Sequence, residues 1–126
     1  GISIVIDHLP EIQFSCRPTQ VSQILLNLLN NAFDAVGELK ERWVHLHFER
    51  MASVMRIYVT DSGQGISPEV ADKMMLPFFS TKDVGGGTGL GLSISKSLIE
   101  SHGGQFWYDA AHRHTRFVVE LPLCPP

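Results

Sequence analysis

Asp61-Ser62-Gly63-Gln64-Gly65 and Gly85-Gly86-Gly87-Thr88-Gly89-Leu90-Gly91, with Asn27-Leu28-Leu29-Asn30-Asn31 upstream of both, are the stretches on which the reading of this chain turns. Asp61 sits where an alternating strand ends, since Val54, Arg56 and Tyr58 alternate with Met55, Ile57 and Val59 over residues 54–60. Gly63 and Gly65 allow backbone conformations and a close approach that a Cβ would block, so something flat fits there. A carboxylate on the floor of such a turn accepts a hydrogen bond from the exocyclic amino group of adenine, where guanine would present a repelling carbonyl oxygen. The second cluster runs into a helix starting near Gly89, so backbone N–H groups and the positive helix end face whatever enters the loop. That arrangement favours a phosphate. Neither Gly-x-Gly-x-x-Gly nor the P-loop pattern is completed, because Leu92 follows Gly91 where the lysine would stand. Together the clusters outline a nucleotide pocket of a different kind.

Upstream, Val21, Ile24, Leu25, Leu28, Leu29, Ala32 and Val36 recur at helical spacing over residues 19–36, with Pro18-Thr19 as a start signal. At ~100° per residue, Asn27, Asn31 and Asp34 lie within roughly 60° of one another, beside the apolar stripe. A carboxamide is a neutral oxygen ligand, and Mg²⁺ on a triphosphate takes few protein ligands while keeping waters and phosphate oxygens. The Asn rim suits that task. Residues 44–49 and 54–60 read as an antiparallel hairpin around residues 50–53, and residues 2–7 and 12–14 as two short strands about His8-Leu9-Pro10. Ser67-Pro68-Glu69 opens a short helix to about Met74, before Pro77. Leu90, Leu92, Ile94, Leu98 and Ile99 mark the helix after the glycines, which Gly103-Gly104 stop, and residues 105–108 and 116–121 are the last strands.

Composition limits what else the chain can be. With 126 residues, 44% of them hydrophobic and 18% charged, it is long enough for one core and reads as a single domain over 1–126. A net charge of −3 without a basic stripe points away from nucleic acid. Cys16 and Cys124 form no disulfide framework or metal-ligand pair, which fits a reducing cytoplasmic setting. Polar residues interrupt every apolar stretch, so no membrane contact is expected. Strand-like residues at the very start suggest an excised domain. His45 and His47 share one strand face, but no third metal ligand is apparent beside them.

The Asn helix, the Asp-x-Gly-x-Gly turn, Pro77-Phe78-Phe79-Ser80-Thr81-Lys82 and Gly87-Thr88-Gly89-Leu90-Gly91-Leu92-Ser93 resemble, in order, the boxes of the catalytic, ATP-binding domain of two-component sensor histidine kinases. That family lies in a wider superfamily with the gyrase, Hsp90 and MutL ATPases. The resemblance spans essentially the whole chain. It implies an α/β, more strictly α+β, two-layer sandwich of the Bergerat type: three helices on a mixed sheet of about five strands, with a short mobile lid over ATP.

Carried over by position, the resemblance makes Asn31 the Mg²⁺ ligand and Asn27 its phosphate-side companion one turn earlier. Asp61 becomes the adenine-reading residue, with Gly63, Gly65 and Ile66 along that wall. Phe78-Phe79 anchor the lid, Lys82 neutralises the terminal phosphate, and Gly87, Thr88, Gly89, Leu90, Gly91 and Leu92 wrap the triphosphate. The expected activity is transfer of the terminal phosphoryl group from Mg-ATP to a histidine on a separate dimerisation and phosphoacceptor domain of the same parent protein, with a response regulator downstream. Asn27 stands where the gyrase, Hsp90 and MutL branch carries the Glu that activates water, which favours transfer over hydrolysis. An anti-sigma-type serine kinase and a regulatory nucleotide-binding module are the alternatives. One departure is local. Of a Gly-x-Gly-Thr-x-Phe segment common in the last hairpin, His112-Arg113-His114-Thr115-Arg116-Phe117 keeps only Thr115 and Phe117.

Overall fold

Alternation of apolar and polar residues along three long strands divides this protein into an inner and an outer layer. The computed structural model describes residues 1–7, 18–76 and 91–123. Its strands are β1 (Ser3–Ile6), β2 (Trp43–Met51), β3 (Val54–Asp61), β4 (Gln105–Tyr108) and β5 (Thr115–Pro122), and its helices α1 (Pro18–Val36), α2 (Pro68–Met74) and α3 (Gly91–Ser101). The sheet order is β1-β2-β3-β5-β4. β1 pairs parallel to β2, and every other pair is antiparallel. The α+β expectation of three helices on a mixed five-stranded sheet is met. The strand expected over 12–14 lies outside the described residues.

The register puts like with like. Leu46 faces Val59, Val59 faces Phe117, Ile57 faces Val119 and Met55 faces Leu121, so one face of β2, β3 and β5 is continuously apolar. α1 and α3 pack on each other and on that face, α1 over β2 and β3, α3 over β4 and β5. The α1 stripe of Val21, Ile24, Leu28, Ala32 and Val36 is buried there, in one cluster with Leu92 and Ile99 of α3. Burying each large side chain of this set contributes about 1.5–3 kcal/mol. Leu26, on the far side of α1, is 61% exposed, as an amphipathic helix requires.

Among the described residues no helix packs on the opposite face of the sheet, yet Val118 and Thr60 on it are buried. Side chains of the sheet cover them. The Arg56 guanidinium lies over the Trp107 ring, and that of Arg116 over Tyr58. Arg56 Nε donates to Glu120 at 3.0 Å, and Arg116 Nε to Thr60 at 2.8 Å.

Local chemistry sets the ends of the elements. Ser67 accepts a hydrogen bond from the Val70 N–H at the start of α2, with Pro68 in the first turn. The β2–β3 hairpin closes on Ala52 and Ser53, and Ala52 takes the left-handed φ of 52° that such a two-residue loop demands. α3 stops in a Schellman motif: the Gly104 N–H reaches the Ile99 carbonyl, the Gly103 N–H that of Glu100, and Gly103 has φ of 78°.

Two substitutions test this packing. Ser95 Oγ on α3 is fully buried with no hydrogen-bond partner among the described residues. An unpaired buried hydroxyl costs about 1–3 kcal/mol, and Ala is the better helix residue, so Ser95→Ala should gain about 1 kcal/mol in urea unfolding. A loss would show that the hydroxyl is satisfied. A Cβ on Gly104 would fall onto the Glu120 carbonyl oxygen of β5. Gly104→Ala should therefore lose more than ~1 kcal/mol in the same assay.

Candidate nucleotide-binding site

Strand β3 delivers Asp61 to the middle of the sheet, opposite Val44 on one side and Thr115 on the other. Its side chain falls on the inner face, in phase with Ile57 and Val59, and the residue is only 3% exposed. Burial pushes the carboxyl above its ordinary range; the Gly63 N–H, donating to Oδ1 at 2.8 Å, and the nearby His114 act in the opposite direction without cancelling it. The result is a buried acceptor at the mouth of a turn.

That turn is held from several sides. The Gly65 N–H donates to Thr115 Oγ1 at 3.1 Å, and the Ile66 N–H to the Tyr108 hydroxyl at 2.8 Å. His114 Nδ1 lies 3.0 Å from the Gly63 carbonyl, its ring edge-on to Trp43. Ser62 ties the turn to β2: its hydroxyl donates to the Glu41 carbonyl and accepts from the Trp43 N–H. The glycines are required here. A Cβ on Gly63 would meet Thr115 Oγ1 at 2.7 Å and Asp61 Oδ1 at 2.8 Å. Gly65 has φ of 91°, and a Cβ there would come within 3.2 Å of the Tyr108 hydroxyl.

Tyr108, His114 and Ser62 are positioning residues with no motif of their own in the sequence. For Thr115 the sequence did carry a signal, the Thr kept in the departing hairpin segment. The loss of glycines there leaves the hairpin intact, because β4 and β5 pair in register from Gln105↔Glu120 to Tyr108↔Phe117. His114 occupies one replaced position and contacts the turn directly.

On α1, Asn27 and Asn31 are half-buried one turn apart, bordering the buried Leu28 and Ala32, and Asp34 is exposed farther along the same flank. α1 packs against β3 and α3, so this rim belongs to the same layer as Asp61 and the start of α3. Ile66 is half-buried against the core. Leu92 is 5% exposed and part of that core, so its side chain serves packing and only its backbone is suited to meet a ligand. Gly91 is the first described residue of α3. Phe78, Phe79, Lys82, Gly87, Thr88, Gly89 and Leu90 lie outside the described residues.

The chain is similar to known proteins in both sequence and structure. Residues 16–125 match the family described as histidine kinase-, DNA gyrase B-, and HSP90-like ATPase. The sensory histidine kinase/phosphatase NtrB of Escherichia coli O157:H7 is 40% identical over 133 residues, covering 98% of this chain; the chain spans 38% of that protein's length. The nucleotide-free catalytic domain of histidine kinase ThkA superposes with a TM-score of 0.80 at 31% identity, over 98% of this chain and 82% of that one. ThkA has also been solved with the response regulator protein TrrA, where the TM-score is 0.76 at 30% identity, over 98% of this chain and 34% of that one. Full-length ShkA in complex with AMPPNP gives 0.80 at 27% identity, over all of this chain and 26% of that one. The chain belongs to the histidine kinase-, DNA gyrase B-, and HSP90-like ATPase family, and within it to the histidine kinase catalytic domains.

Proposed function

We propose that residues 1–126 form a single domain that binds Mg-ATP and presents its terminal phosphoryl group to a histidine on another domain of the same parent protein. The observation that carries this reading is Asp61, a buried carboxylate beside a turn whose two glycines leave no room for side chains. Such a cradle fits a planar base with an amino group on its edge. With Oδ1 engaged by the Gly63 N–H, Oδ2 is the oxygen offered to that amino group.

The remaining roles follow from position. Asn31 offers its carboxamide oxygen to Mg²⁺, and Asn27 its amide to the phosphate side. By the resemblance, Gly87, Thr88, Gly89, Leu90, Gly91 and the backbone of Leu92 supply N–H groups to the phosphates. Lys82 neutralises charge at the terminal phosphate. Bound ATP supplies the phosphoryl group; the protein's part is to orient it and spread its charge. Asn27 has no basic group with which to activate water, so the reading favours a protein acceptor. A helical dimerisation and phosphoacceptor domain and a downstream response regulator complete the pathway, at the cytoplasmic location where ATP is available. No described helix is long and apolar enough to cross a membrane.

The direct test mixes this domain with the phosphoacceptor segment of its parent protein, Mg²⁺ and ATP labelled on the terminal phosphate. Acid-labile, base-stable label on that segment is the expected result. Acid-stable label would make the protein a serine kinase, and no label despite ATP binding would make it a regulatory module.

Asp61→Asn has two expected effects. ATP should bind about tenfold to a hundredfold more weakly, the loss of a hydrogen bond to a charged group. Because burial raises the folded pKa of Asp61, its ionisation destabilises the fold: the penalty is absent below the unfolded value near 3.8, grows as pH rises through the folded value and is constant above it. The ligand-free variant should therefore melt higher than the parent at neutral pH, with the difference vanishing in acid. Unchanged ATP affinity in calorimetry would remove Asp61 from the site. Asn31→Ala should spare nucleotide binding without metal yet slow Mg²⁺-dependent transfer roughly 100-fold or more, the Lewis-acid contribution being several kcal/mol. Equal losses with and without Mg²⁺ would contradict its role as metal ligand.

A further inference from the structure

On the outer face of the sheet, away from the nucleotide site, the parallel pairing of β1 with β2 completes a cluster that the sequence leaves one ligand short. Val5 lies opposite His45 and Ile6 opposite Leu46, and the Asp7 N–H continues the ladder to the Leu46 carbonyl at 2.9 Å. The period-two alternation turns Asp7 to the same side as His45 and His47. Asp7 Oδ2 lies 3.0 Å from His45 Nε2 and 2.6 Å from His47 Nδ1. One ligand atom from each residue falls within 4.8 Å of the others.

We infer that Asp7, His45 and His47 form a binding site for a borderline divalent transition-metal ion of the Zn²⁺ class. Two imidazoles and one carboxylate are the donor set such ions prefer, whereas Mg²⁺ prefers oxygen alone. Three protein ligands leave a fourth position for water. In a tetrahedral shell, ligands ~2.0–2.1 Å from the metal sit about 3.3 Å apart, which the Asp7–His45 pair at 3.0 Å approaches to within a few tenths of an ångström. The Asp7–His47 pair, at 2.6 Å, must open by about 0.7 Å. All three side chains are about two-fifths exposed, which gives them room to do so and gives the ion an entry path. His47 is backed by the Tyr58 ring, whose hydroxyl donates to Glu49. Metal binding here replaces the two imidazole protons shared with Asp7, so the ion substitutes for hydrogen bonds already built.

The consequence is mechanical. β1 is an edge strand with Ile4, Val5 and Ile6 each about half exposed or more, so among the described residues its pairing with β2 is the main contact that retains it. An ion bridging Asp7 to both histidines would pin the end of β1 to the middle of β2.

The test uses untagged, chelator-stripped protein titrated with Zn²⁺ by calorimetry in excess Mg²⁺. One equivalent per chain should bind. Asp7→Asn and His47→Gln should each weaken it at least ~tenfold, while His102→Gln, in the turn after α3, should leave it unchanged. Backbone amides of β1 should exchange more slowly with Zn²⁺ present. X-ray absorption of the one-to-one complex, which needs no variant, should show two imidazoles around the metal. Absent stoichiometric binding, affinity unchanged from the parent protein in the Asp7 and His47 variants, a weakening confined to His102→Gln, or a shell without imidazole would each overturn the inference.

Discussion

The alternation of side chains along β3 is the constraint on which the site depends. Because Met55, Ile57 and Val59 must face the helices, the residue two beyond Val59 must face the same way, and that residue is Asp61. A charged group is thereby carried into the apolar layer by the register that builds the core. Shifting β3 by one residue would expose the carboxylate and bury Arg56 and Tyr58 instead. Thus the core and the acceptor cannot be separated, and the strength of the hydrophobic register is what holds a desolvated carboxylate in place.

Around that carboxylate the protein supplies partial compensation. The Gly63 N–H reaches Oδ1, and His114 stands close enough to favour the charged form, yet burial still dominates. A site so arranged is less stable empty than an apolar or neutral one of the same shape, and a ligand donor that reaches the carboxylate relieves the imbalance. The glycines serve the same end. Tyr108 and Thr115 draw the turn inward by bonding its N–H groups, and that approach is possible only because residues 63 and 65 have no side chain.

Local sequence made much of this architecture legible. The stripe from Val21 to Val36 defines α1, Gly103-Gly104 end α3, and the alternation in residues 54–60 gives β3, because each signal is a short-range consequence of helix or strand geometry. Asp61, Gly63 and Gly65 were readable for the same reason: the turn that needs them lies within a few residues. Tyr108 and His114 were not. Their partners are 42 and 51 residues away, brought near only by the order β1-β2-β3-β5-β4. The missing metal ligand was hidden in the same way: Asp7 is separated from His45 and His47 by 38 and 40 residues, and parallel pairing alone unites them. Long-range register has no local signature.

That register also explains how one strand can serve two sites without mixing their chemistry. Val44 turns inward to flank Asp61, while His45, the next residue, turns outward toward Asp7. The period of two keeps the imidazole and the buried carboxylate on opposite sides of the sheet. The backbone, however, is common to both. Trp43 accepts and donates through its main chain to Ser62 in the turn, two residues before His45. An ion that fixes β2 against β1 therefore acts on the same strand to which the nucleotide turn is tied, and the two faces are chemically separate but mechanically joined.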